Sequence, residues 1–84
     1  MYMENSMNYT QCLLVKENKD GEVFKTVCWI PSEFAQRYRV LKLKEDNGEW
    51  NDGWMVEHSY TTHNEEFVRF HERDFTRQRE ASDI

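Results

Sequence analysis

Residues 27–56, VCWIPSEFAQRYRVLKLKEDNGEWNDGWMV, constrain the fold more than any other part of the chain. They hold all three tryptophans, the only proline and two of the three glycines. Val27, Cys28, Trp29 and Ile30 form a β-favouring run, and Pro31 ends it because proline has no N–H to give a sheet ladder. Pro31 also suits the first position of a helical turn, with Ser32 and Glu33 supplying an acceptor and negative charge where they are favoured. Phe34 and Ala35 would then face inward. Residues 39–44 (RVLKLK) set Leu41 and Leu43 against Val40, Lys42 and Lys44, the period of a half-buried strand. Asp46-Asn47-Gly48 and Asn51-Asp52-Gly53 both read as tight turns, since these residues tolerate positive φ. From Trp54 the alternation resumes, predicting Trp54, Val56, His58 and Tyr60 on one face.

On either side the reading is coarser. Residues 1–8 (MYMENSMN) lack periodicity and are expected to be a flexible tail, with residues 9–84 forming a single small β-rich domain. Residues 9–16 predict a strand, residues 17–21 a polar turn, and residues 22–30 the returning strand. Val23, Lys25, Val27 and Trp29 share one face of that strand, and Phe24, Thr26, Cys28 and Ile30 the other. Apolar residues on both faces point to a central rather than an edge strand. Residues 61–66 (TTHNEE) read as a polar connection. Residues 67–71 (FVRFH) fit two descriptions. As a helix they would start at Asn64, with Glu65 and Glu66 in the first turn. As a strand they would complete a five-stranded sheet, and that reading is preferred. The fold expected is mostly β: a small SH3-like barrel or a bent five-stranded antiparallel sheet with one short helical turn. The alternative is α+β, with a C-terminal helix over residues 65–80.

Eighty-four residues allow one modest core, and with aromatics at 14% of the chain that core must be rich in rings. No apolar run approaches the roughly 18 residues of a membrane span, and no basic-then-apolar leader is present, so a soluble, unexported, cytoplasmic protein is expected. The net charge of −5 disfavours generic binding to a phosphate backbone. Cys12 and Cys28 lack the spacing of a zinc site, and a hairpin closed at residues 19–21 would set them opposite each other, where a disulfide is geometrically possible. Without export, two buried thiols are expected.

No nucleophile elbow, glycine-rich phosphate loop or H-E-x-x-H motif is present. His58, His63 and His71 are dispersed, and the carboxylate pairs fall in turns. Enzymatic activity, cofactors and metals are therefore not expected. Two surfaces remain. Tyr38 and Trp50, with Arg69, Arg73, Phe75 and Arg77, are the candidate protein-binding residues, since exposed aromatics and arginines anchor interfaces. Arg37, Arg39, Lys42 and Lys44 are the alternative, a basic strand for nucleic acid, although Glu45, Asp46, Glu49 and Asp52 follow immediately and would weaken its field.

W-I-P-x-x-F-A (residues 29–35), L-K-L-K (41–44), G-E-W-x-D-G-W-x-V (48–56), R-D-F-x-x-x-R (73–79) and S-D-I (82–84) together resemble small uncharacterised proteins of tailed bacteriophages. The resemblance spans about two thirds of the chain. It implies expression in the cytoplasm of an infected bacterium, a host or phage protein as partner, and a role in redirecting or blocking a host protein. It carries no functional residues.

Overall fold

The computed structural model describes residues 7–71 and 79–83, apart from the side chains of Arg69 and His71. The elements are β1 (Asn8–Glu17), β2 (Val23–Pro31), a 3-10 turn (Ser32–Phe34), β3 (Val40–Lys44), β4 (Trp50–Asn64), α1 (Glu65–His71) and β5 (Ala81–Asp83). The strands form one antiparallel sheet in the order β2-β1-β4-β3-β5. It is mostly β, as expected, and the sheet is not closed into a barrel.

The sheet is nevertheless strongly curled. Arg79 N–H donates to Trp29 O at 2.9 Å in β2, and Glu80 O accepts from Lys44 N–H at 3.0 Å in β3. In a flat sheet three strand spacings of about 4.8 Å would hold β2 and β3 roughly 14 Å apart. Two consecutive residues cannot bridge that gap, so the sheet bends until they can.

Inside the curl lies the main core: Cys12, Leu14, Cys28, Ile30, Leu41, Leu43, Trp54 and Val56, with Phe34, Ala35 and Ala81 packed against it. Strand periodicity puts every second residue there, and the turn after Pro31 drops Phe34 and Ala35 onto the same side. Thr10 Oγ1 pins this end, lying 2.7 Å from Ser32 Oγ and 2.8 Å from Thr62 Oγ1. A second cluster, Tyr9, Trp29 and Val68, seats α1 on the opposite, outer face. Among the described residues no helix is long and apolar enough to cross a membrane.

Several expectations need correction. Residues 67–71 belong to α1 rather than to a strand. Asn64 Oδ1 accepts from Phe67 N–H at 2.8 Å, and this N-cap with Glu65 and Glu66 in the first turn overrides the weak alternation. The fifth strand is instead β5. The 51–53 tripeptide makes no turn: the chain reverses at residues 45–48, and Asn51-Asp52-Gly53 lies within β4. There the register against β3 slips between Leu41 and Leu43, and Gly53 takes φ 91°. Positive φ serves a bulge as well as a turn. Strand β4 also runs on through residues 61–64, where a polar connection was expected. Its face assignment changes midway, because Leu14 pairs with Val56 while Leu13 pairs with His58. The extra residue, Glu57, sends His58 and Tyr60 to the solvent rather than behind Trp54 and Val56. Finally, β2 is an edge strand. Its second half is apolar on both faces because the core covers one and α1 the other, whereas Val23 and Phe24 remain exposed.

Candidate interaction surface on the outer face

With Leu41 and Leu43 in the core, alternation turns Val40, Lys42 and Lys44 to the outer face. Trp50 pairs directly with Lys44 and shares its side. The Lys42 ammonium stands 5.6 Å and the Lys44 ammonium 6.0 Å from the centre of the Trp50 ring, which stays 43% exposed. Such cation–ring contacts hold the indole upright at a position where it buries little. Met55 pairs with Val40 on one side and Val15 on the other, and Val15 pairs with Lys25. A row of Lys25, Val15, Met55 and Val40 therefore crosses four strands of the outer face.

Tyr38 stands at the head of β3 with φ 71°, the one non-glycine residue with positive φ among those described. A bulky residue in the left-handed region is strained and is held there by its surroundings. The hold is visible: Tyr38 N–H donates to Val56 O at 2.6 Å, and Val56 N–H to Arg39 O at 2.9 Å. The ring is 61% exposed, with the Arg37 guanidinium 4.8 Å above it. Arg37 is itself fixed by donating from Nε to Glu57 O at 3.0 Å.

The structure thus regroups the candidate residues. Trp50 is grouped with Lys42 and Lys44, and Tyr38 with Arg37 at the opposite end of β3. Arg39 joins neither group. Its guanidinium donates to both carboxylate oxygens of Asp83, to Glu33 O and to Gln36 Oε1, and lies 5.2 Å over the Phe34 ring, so it is committed to holding the fold. Arg73, Phe75 and Arg77 lie outside the described residues, as does the side chain of Arg69. Val40, Met55 and Val15 are additions that motif reading passed over. Their signal was the second phase of the alternation whose first phase marks the core.

The local field is mixed. Lys44 pairs with Glu80 at 3.5 Å, and Asp46 with Arg79 at 3.1 Å. Lys16 Nζ donates to Asn51 Oδ1, whose amide in turn donates to Glu45 at 3.1 Å. Among the described residues no group of histidine, cysteine and carboxylate side chains could hold a metal ion. His63 instead stacks on Phe67, with ring centres 3.8 Å apart, beneath the second cluster. Comparison with protein-family models, with curated proteins and with solved structures finds no match.

Proposed function

We propose that the chain is a non-enzymatic protein-interaction module whose contact surface is the outer face around Trp50, Tyr38, Val40, Lys42 and Lys44. The observation that carries this reading is an exposed indole with two ammonium groups beside it, on a sheet face that α1 leaves uncovered. Tryptophan and tyrosine are among the side chains that dominate binding energy at protein interfaces. A partner segment with an apolar side chain for the Val40–Met55 row and carboxylates for the two lysines matches this chemistry. With the resemblance to phage proteins, the reading becomes that of a phage-encoded modulator or inhibitor of a host bacterial protein.

The test is capture from bacterial lysate with the tagged chain and with Trp50→Ala, each with and without nuclease. A protein retained after nuclease by the wild type and lost by Trp50→Ala supports the reading. Capture that vanishes with nuclease supports the second reading, a nucleic-acid-associated accessory protein. That reading draws on the same lysines beside a ring able to stack a base. The salt response separates the two, because phosphate contacts weaken steeply with added salt while an aromatic-anchored contact weakens far less.

A further inference from the structure

The hydrogen-bond phase of the first hairpin aims part of β2 away from the molecule. Asn18 N–H donates to Glu22 O at 2.9 Å, making these two a bonded pair. Bonded and unbonded pairs alternate along an antiparallel ladder. With the observed register, Lys16 and Phe24 are bonded, as are Leu14 and Thr26, and Cys12 and Cys28. The intervening residues Val23, Lys25, Val27 and Trp29 therefore present N–H and C=O outward. Trp29 demonstrates it by accepting from Arg79. Among the described residues no backbone group meets Val23, Lys25 or Val27, and Val23 and Phe24 are 53% and 47% exposed.

We propose that this edge pairs antiparallel with the same edge of a second copy, about a two-fold axis passing at Phe24. Outward-facing residues must oppose one another, which leaves few registers. Centring on Lys25 would set two ammonium groups directly opposite, which is destabilising. Centring on Thr26 would carry Val23 of the second copy onto Trp29, where Arg79 already occupies the edge. Centring on Val23 would pair Lys25 with Gly21, which lies in the turn. Centring on Phe24 pairs Val23 with Lys25 of the second copy and the reverse, which closes four backbone hydrogen bonds. It also stacks the two exposed Phe24 rings and carries each Lys25 over the other copy's Val23 toward its Glu17, the cross-strand neighbour of Val23. The product is a self-complementary interface of the kind two-fold dimers use.

Sedimentation velocity on the full chain, from micromolar to millimolar concentration, tests this beside amide hydrogen exchange. The expected result is a monomer–dimer equilibrium in which the Val23 and Lys25 amides gain protection as the dimer forms. Lys25→Pro removes an outward N–H while leaving the ladder to β1 whole, as proline does on an open edge. It should keep the wild-type melting temperature and weaken the dimer roughly tenfold or more, since two donors are lost per dimer. Phe24→Asp should weaken it as well. A monomer at every concentration overturns the proposal. So does protection of those amides in the monomer, or a dimer indifferent to Lys25→Pro. Loss of captured partner protein in Lys25→Pro, with the chain monomeric throughout, would assign the edge to another protein and overturn the second copy.

Discussion

Arg39 grips Asp83 through Nε and Nη2, Nη2 lying 2.6 Å from one carboxylate oxygen and 2.8 Å from the other. This contact fastens the short last strand to the start of β3. Arg39 also donates to Glu33 O at 2.8 Å, so one side chain ties β3, β5 and the 3-10 turn together. Both partners are partly exposed, at 32% and 59%, which limits the ion pair itself to about 0.2–1 kcal/mol. Counting the lost bond to the turn carbonyl, Arg39→Ala should cost about 1–2 kcal/mol in urea unfolding. A double-mutant cycle with Asp83→Asn should recover only the smaller ion-pair share. Additive effects of the two substitutions would show that the grip contributes nothing.

Tyr38 is expected to separate stability from function. Glycine at this position escapes the left-handed strain, so Tyr38→Gly should unfold at the same denaturant concentration as wild type or be up to about 1 kcal/mol more stable. Loss of the exposed ring should at the same time reduce partner capture. A destabilised Tyr38→Gly variant would mean that the ring packs on the fold rather than waiting for a partner.

The three indoles should divide two to one. Trp29 and Trp54 are 2% and 9% exposed, whereas Trp50 is 43% exposed. Iodide or acrylamide should quench a fraction of the native fluorescence that disappears in Trp50→Phe. Trp54→Ala should cost about 3–5 kcal/mol through the cavity it leaves, and Trp50→Ala much less.

Cys12 and Cys28 are both fully buried and occupy a bonded pair of the ladder. At such a pair the Cβ atoms stand near 5.5 Å apart, beyond the roughly 3.8 Å that a disulfide needs. Mild oxidation of the native protein should therefore leave the two unlinked, as intact-mass measurement would show. Burial pushes the Cys12 thiol up from its ordinary 9.0, with the Ser59 hydroxyl 3.8 Å away opposing the shift. The unfolded chain then loses this proton first, so Cys12 contributes stability below its unfolded value that drains away as pH climbs past about 9. The stability gap between wild type and Cys12→Ala should shrink over that range. A gap constant to high pH would show that the thiol titrates alike in both states.

Capping should be measurable at Asn64. Asn64→Ala removes the acceptor for Phe67 N–H and should cost about 0.5–2 kcal/mol. The loss should come with faster amide exchange in α1 and unchanged protection in β1.

Local chemistry alone determined much of this protein. Pro31 stopped β2 and opened the following turn, the alternation at residues 40–44 assigned Leu41 and Leu43 to the core, and the hairpin put Cys12 opposite Cys28. Each rests on a rule of near neighbours: a missing N–H, a period of two, a turn of fixed length. What tertiary structure decided was everything for which local signals compete. Asn51-Asp52-Gly53 suits a turn and a bulge equally, and only pairing with β3 chose the bulge. The Glu57 bulge, which no residue type announces, turned His58 and Tyr60 outward. The Asn64 cap and the seat for Val68 on Tyr9 and Trp29 turned residues 67–71 into helix. The basic segment was legible as charge, but its division was not. Arg39 found Asp83 across 44 positions of sequence, while Lys42 and Lys44 were left beside Trp50. A side chain's partners are set by which strands the curled sheet brings together, and that depends on the whole chain at once.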